Sequence, residues 1–364
     1  MNRATAPSLA FMVPGALRQA TGGYRYDARL VDGLRERGWR VEVHELAGRF
    51  PEGDDQARRS LGEALAALPD ATPLVIDGLA LGNLGEVAQA HAERLDITAL
   101  VHHPLGDEAG LDAATRRRLL AREAAILNRV ARIVVTSPFT ARRLVELGVD
   151  DTPITVVEPG VEAAAPAEAA WPAEAAVAPC LLCVATLTPR KGHLLMLDAL
   201  ATLQHRDWQL DCVGDEQRDP EHAEAIRQRI EALALQDRVR LRGSYDEAAL
   251  AEAYHQSDLV LVPSWYEGYG MVVTEALARG LPLVSTLGGA LRDTVPAAAS
   301  WRVEPGDSAA FAVAIEQWWS AEARDARRQA AVKVREALTG WEGVVTRFVE
   351  ALMPVPPGLG ERDE

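Results

Sequence analysis

The sequence predicts an α/β protein of two doubly wound domains, each a parallel sheet wrapped by helices, facing one another across a cleft. Three observations carry this expectation. Near the start, an apolar stretch from Leu9 to Pro14 is followed by a loop over 15–23. An amphipathic run from Tyr24 to Arg37 and an alternating stretch from Trp39 to Leu46 come next. Strand, loop, helix and strand in that order open a parallel sheet. The same order restarts at Leu181 to Ala185, with a loop over 186–192 and a helix from His193 to Leu203. Between the halves, Ala163 to Pro179 is mostly alanine, proline and glutamate. Pro166, Pro172 and Pro179 exclude one regular helix there, so the stretch reads as a mobile linker and a functional hinge.

The totals agree with this reading. A chain of 364 residues suffices for two domains of ordinary size. A net charge of -15 argues against a nucleic-acid partner, because phosphate backbones are bound by clustered cations. The N-terminal stretch has no long apolar segment, so neither a signal peptide nor a membrane span is expected, and the chain reads as cytoplasmic. Cys180 and Cys183 form a lone C-x-x-C inside the apolar run Leu181, Leu182, Val184 and Ala185. Without a second pair or a histidine cluster this is a strand entering a core, and no metal site is expected.

Each further element of the first half has its own signal. Leu30, Val31 and Leu34 share one face of the first helix, and Gly38 ends it. Arg58 to Leu68 reads as a helix, and Leu74 to Asp77 and Ile97 to Val101 as strands. The latter strand runs into His102 and His103, and a histidine at a strand's carboxyl end can contact a ligand or donate to developing charge. The helix from Thr115 to Val130 carries Arg116, Arg117, Arg118, Arg122 and Arg129. A solvated face accounts for these arginines. A weak peripheral contact with anionic lipid is the functional alternative. Ile133 to Thr136 is a strand, Ser137 caps a helix that Gly148 ends, and Ile154 to Val157 closes the half.

In the second half, Gln209 to Val213 is a strand ending in Gly214 and Asp215. Asp219 to Leu233 is a helix, and Val239 to Arg242 a strand ending in Gly243. Leu250 to Gln256 is a short helix and Leu283 to Thr286 a strand. Ser308 to Trp319, Ala323 to Leu338 and Trp341 to Leu352 are helices. Pro354 to Glu364 is rich in proline, glycine and acid, and is expected to be disordered.

The stretch from Pro263 to Glu275 carries the chemistry. The apolar run Leu259 to Val262 ends at Pro263 and Ser264, and Gly268 and Gly270 bracket a turn where backbone can approach a ligand closely. From Met271 the pattern is helical up to Gly280. A glycine turn that empties into a helix N-terminus offers free N–H groups and a positive dipole end to a phosphate. Glu267 and Glu275 flank the turn. A carboxylate beside an anion site is suited to neutral diols: Glu275 to a ribose, Glu267 to a sugar hydroxyl pair. Arg190 and Lys191, in the loop after Ala185, could neutralise a diphosphate leaving group.

Glu267 to Glu275 resembles the E-x7-E signature of retaining glycosyltransferases of family 4, which have the GT-B fold. Thr188 to Gly192 resembles the diphosphate-binding loop of that family. Gly288 and Gly289, the turn at Val156 to Gly160, and Pro305 to Asp307 fall in the family's order, and the resemblance runs from about Phe11 to about Leu352. It implies an acceptor-binding Rossmann-like domain over 1–160, a linker over 161–179 and a nucleotide-sugar-binding domain over 180–340. A helix crossing back to the first domain, followed by a disordered tail, would then occupy 341–364. It also implies His102, Lys191 and Glu267 as catalytic residues. Gly22, Gly23, Arg190, Lys191, Gly214, Gly268, Tyr269, Gly270, Met271 and Glu275 would contact the donor, a UDP- or GDP-sugar. One departure stands out: Thr186 lies near the place where the family usually has an arginine. The implied reaction moves a hexose to an acceptor hydroxyl with retention and without a metal, and the chain has no Asp-x-Asp metal signature. A sugar-nucleotide epimerase or hydrolase on the same fold, or a non-catalytic nucleotide-sugar-binding protein, is the alternative.

Overall fold

The computed structural model describes residues 6–19, 21–167 and 178–353. The Pro354–Glu364 tail and most of the linker lie outside the described residues.

The chain builds two six-stranded sheets, and every strand pairing in them is parallel. The first contains β1 (Ser8–Pro14), β2 (Arg40–Leu46), β3 (Pro73–Asp77), β4 (Asp96–Val101), β5 (Arg132–Val135) and β6 (Ile154–Val156), in the order β2-β1-β3-β4-β5-β6. The second contains β7 (Cys180–Val184), β8 (Gln209–Val213), β9 (Val239–Leu241), β10 (Leu259–Val262), β11 (Leu283–Thr286) and β12 (Ser300–Val303), in the order β12-β11-β10-β7-β8-β9. Strand order reverses between β1 and β3 in the first sheet and between β7 and β10 in the second. Open α/β sheets bind ligands at such switch points, beyond the carboxyl ends of the strands. The loops that carry Gly22 and Gly23, Arg190 and Lys191, and Glu267 to Met271 lie at these two places.

Helices cover both faces of each sheet, which is why the inner strands are continuously apolar. Along β1, Met12 enters one core layer while Phe11 and Val13 enter the other, as the period of two requires. The final helix, Trp341–Leu352, packs Val344, Val345 and Phe348 into the layer built on Phe11 and Val13. Its partner is the Gly22–Glu36 helix, where a β-carbon on Gly33 would collide with Val345. The chain therefore leaves the second domain at Gly340 and finishes on the first.

The expected elements recur within a few residues of their expected ends. Besides three single-turn 3-10 helices, four elements were not expected: β12 and the short helices Gly78–Leu81, Gly85–Gln89 and Leu291–Thr294. β12 is an edge strand in which Arg302 is exposed between buried Trp301 and half-buried Val303, so its four residues present no apolar run. The helices span only four or five residues, too short for a 3.6-residue period to repeat.

Candidate active site

At the second switch point, the loop after β7 and the loop after β10 are pinned together by backbone. Gly192, at φ 71°, opens the His193–Ala201 helix, and a β-carbon there would strike the carbonyl of Pro263. The Trp265 N–H donates to the Arg190 carbonyl at 2.8 Å. This close seam sets Lys191 and Arg190 beside Glu267. Lys191 Nζ donates to Glu267 Oε1 at 2.6 Å, and Ser264 Oγ donates to the same oxygen at 2.6 Å. Arg190 Nη1 donates to the Tyr266 carbonyl at 2.7 Å and to Glu267 Oε2 at 3.3 Å. Burial pushes the Glu267 pKa up, but Lys191 and Arg190 outweigh it and hold the carboxyl at about 2. Glu267 is thus an ionised acceptor, only 8% exposed. Burial draws the Lys191 pKa below its ordinary value, against the pull of Glu267.

Gly270, at φ 91°, opens the Met271–Ala278 helix, so the glycine turn does empty into a helix N-terminus. Inside that helix, Glu275 is 9% exposed. Tyr254 Oη donates to its Oε2 at 2.8 Å, and Arg25 of the first domain lies 3.0 Å from its Oε1.

The first switch point has a different composition. His102 follows β4, Asp77 ends β3, and Asp27 projects from the Gly22–Glu36 helix. His102 Nε2 lies 3.1 Å from Asp27 Oδ1 and 3.5 Å from Asp77 Oδ2. Both carboxylates are essentially fully buried. Burial opposes charge on His102, but the two aspartates prevail and raise its pKa to about 10. Burial, with Asp77 adding to it against the pull of His102, raises Asp27 to about 7. His102 is therefore a standing cation at neutral pH, a donor rather than a base.

His103 turns the other way. Its Nε2 is 3.4 Å from Glu108 Oε2, and its ring is tilted against Tyr266 with centroids 5.9 Å apart. Glu108 Oε1 is in turn 2.9 Å from Arg190 Nε. A chain of polar contacts thus crosses the cleft from His103 through Glu108, Arg190 and Glu267 to Lys191. Backbone closes the same gap: a β-carbon on Gly268 would collide with the carbonyl of His102. Gly22 and Gly23 complete the lining. A β-carbon on Gly23 would sit 3.2 Å from the His102 ring, and one on Gly22 3.7 Å from Met271 Sδ.

Ten of the residues singled out from sequence therefore meet at the cleft: Gly22, Gly23, His102, Arg190, Lys191, Glu267, Gly268, Gly270, Met271 and Glu275. Two do not open onto it. A β-carbon on Gly214 would collide with the Ala185 carbonyl, so this glycine permits two backbones to touch. Tyr269 turns into a cavity of about 120 Å³ that it shares with Glu158, Thr274 and Arg347. Four residues escaped the sequence reading: Arg25, Asp27, Asp77 and Glu108. Asp77 at a strand's carboxyl end carried the clearest signal. The other three become visible only when elements distant in sequence meet.

Among the described residues, Asp27, Asp77 and His102 also form the group of ligand atoms compact enough to hold a metal, all within 4.8 Å of one another. Protonated His102 already places a cation between those carboxylates. Cys180, Cys183 and Cys212 are free thiols. Arg116, Arg117, Arg118 and Arg129 point into solvent, and Arg122 donates to Asn83 Oδ1 at 2.9 Å. None of the described helices is long and apolar enough to cross a membrane.

Comparison with known proteins matches each domain separately. Residues 80–165 fit the family described as Glycosyltransferase Family 4, and residues 178–321 fit the family described as Glycosyl transferases group 1. A D-inositol 3-phosphate glycosyltransferase of Kineococcus radiotolerans is 31% identical over 233 residues, which is 58% of this chain and 53% of that protein. The mannosylfructose-phosphate synthase of Agrobacterium fabrum is 32% identical over 117 residues, 30% of this chain and 26% of that protein. The chain spans about half the length of the first curated relatives it matches. Among solved structures, a sucrose-phosphate synthase from Thermosynechococcus elongatus superposes with a TM-score of 0.79 at 22% identity, covering 94% of this chain and 98% of that one. HepE of Anabaena in complex with UDP-glucose superposes at 0.74 and 17% identity, covering 95% and 99%. The two sheets thus form the GT-B fold, and each half of the chain matches a glycosyltransferase family model, Glycosyltransferase Family 4 in the first and Glycosyl transferases group 1 in the second.

Proposed function

We propose that this protein transfers a hexose from a nucleoside-diphosphate sugar to an acceptor hydroxyl, with retention of configuration and without a metal. The observation that carries this reading is the buried cluster of Lys191, Arg190 and Glu267 beside the N-terminus of the Met271–Ala278 helix. Glycosidic-bond cleavage places negative charge on the departing diphosphate, and fixed cations and a helix N-terminus are suited to receive it. Relatives named as glycosyltransferases, and the crystallisation of HepE with UDP and with UDP-glucose, support a donor of this class.

In this mechanism the donor lies mainly against the second domain and the acceptor against the first. Ionised Glu267 accepts hydrogen bonds from sugar hydroxyls, and Glu275 from the ribose. His102, held protonated by Asp27 and Asp77, donates to an oxygen of the sugar. The departing phosphate takes the acceptor's proton on the face it leaves, so retention requires no carboxylate nucleophile. Lys191 and the helix N-terminus stabilise the resulting anion, the role a metal plays elsewhere.

The test is thermal-shift titration with UDP, GDP, ADP and CDP, followed by the sugar conjugates of whichever nucleotide stabilises the protein. A selective shift, with sugar transfer that survives chelation, is expected. Loss of transfer on chelation with recovery on adding a divalent ion would refute metal independence. Absence of any nucleotide-induced shift would refute the donor class.

A further inference from the structure

We infer that Arg25, on the first domain, is a diphosphate-binding residue for the donor and supplies a cation that the second domain lacks. The inference rests on the donor reading above and adds a residue to it.

The second domain's loop after β7 offers two cations, and both are engaged. Lys191 is spent on Glu267, while Arg190 is divided between Glu267 and Glu108. Thr186, in the same loop, carries no charge. Arg25 is a further cation at the cleft. It reaches across to Glu275 Oε1 at 3.0 Å, with its side chain 35% exposed. Three cations therefore face three carboxylates, Glu108, Glu267 and Glu275, in a balanced network.

A nucleoside-diphosphate sugar carries both kinds of partner for this network. Its hydroxyls suit Glu267 and Glu275, and its phosphates suit the cations those carboxylates now hold. Arg25 sits on Oε1 of Glu275 and Tyr254 on Oε2, so a ribose hydroxyl that reaches Oε1 competes with Arg25 for that oxygen. Arg25, once displaced from Oε1, lies next to an incoming anion. The phosphates are within its reach. Arg25 lies one helical turn beyond Gly22 on the same face of the Gly22–Glu36 helix, and Gly22 abuts Met271, the first residue of the helix whose N-terminus faces the phosphate site. Because Arg25 belongs to the first domain, its exchange ties donor binding to domain apposition.

The experiment is calorimetric titration of wild type, Arg25→Ala and Arg25→Lys. The probes are the nucleoside diphosphate among UDP, GDP, ADP and CDP that binds wild type most tightly, and the matching nucleoside without phosphates. For Arg25→Ala the diphosphate is expected to bind at least about tenfold more weakly, while the nucleoside binds as well as or better than to wild type. Arg25→Lys should recover part of the loss. An equal loss for both probes would show a folding defect, and an unchanged diphosphate affinity would leave Arg25 as a mere cover for Glu275. Either result overturns the assignment. Wild type that binds none of the four diphosphates overturns the donor reading, and this assignment with it.

Discussion

The two switch points contain the same kinds of side chain in opposite proportion. In the first domain one cation, His102, faces two buried carboxylates, Asp27 and Asp77. In the second, one buried carboxylate, Glu267, faces two cations, Lys191 and Arg190. The consequences for protons are opposite. Surplus acid raises His102 to about 10 and, with burial, Asp27 to about 7. Surplus cation holds Glu267 at about 2 in spite of burial. The first site is a fixed hydrogen-bond donor with protons to spare. The second holds Lys191 and Arg190 against Glu267 and Glu108, cations that an incoming anion can share.

The sharpest way to break this contrast is to remove the surplus cation. Lys191→Ala should lower kcat by about a hundredfold to a thousandfold, the scale seen when one preorganised donor to a developing anion is lost. The fold should persist, because Arg190 still pairs with Glu267. Steady-state transfer kinetics beside circular dichroism check this. An unchanged kcat would detach the second switch point from the chemistry.

The next test uses the opposite protonation of the two sites. Glu267 has a depressed pKa, so its stabilisation is present above the ordinary carboxylate range and is lost as pH falls from about 4.5 towards about 2. The shift corresponds to roughly 3 kcal/mol. His102 has a raised pKa, so its stabilisation is complete below the ordinary value of about 6.5 and is lost as pH rises through about 10. Chemical denaturation across pH should therefore show an acid limb that Glu267→Gln flattens and an alkaline limb that His102→Gln flattens. If either variant flattened both limbs, the two sites could not be treated as separate.

A smaller effect is expected from Asp27→Asn, which takes one carboxylate from His102 and leaves Asp77. The histidine pKa should fall from about 10, as read by NMR titration of the ring protons. Stability should drop by about 1–3 kcal/mol, the cost of weakening a buried hydrogen bond to a charged group.

Most of the fold was legible in the sequence because both kinds of signal were local. Short apolar or alternating stretches, most of them ending near a glycine or proline, marked eleven of the twelve strands. β12 escaped because exposed Arg302 interrupts its four residues and leaves no periodic signal. At the site, the second switch point was legible because Arg190 and Lys191 share one loop, and Glu267 to Met271 another. The first was legible only in part. His102 announced itself at a strand end, but Asp27 sits within an ordinary amphipathic helix and meets His102 across 75 residues of sequence. Arg25 and Glu108 were hidden further still, because Glu275 and Arg190, which they meet across the cleft, belong to the other domain. A motif records what one loop needs, and charge balance across a cleft is a property of neither loop alone.

The weakest expected effect comes from the rim of the same cleft. Arg142, from the Pro138–Glu146 helix, lies 2.6 Å from Asp293 of the second domain, with side chains 58% and 34% exposed. Water and salt screen such a pair, and two long side chains lose freedom to make it. Arg142→Ala should therefore cost less than about 1 kcal/mol, and less still as ionic strength rises. The Glu108–Arg190 contact spans the same gap at 2.9 Å through a more enclosed arginine, 16% exposed, that also pairs with Glu267. Arg190→Ala should consequently destabilise far more, and should do so at high salt as well. Denaturant midpoints of both variants at low and high salt separate these cases. Equal, salt-sensitive losses would mean that the domains are held by surface charge, and the buried network would then be a passenger in their apposition.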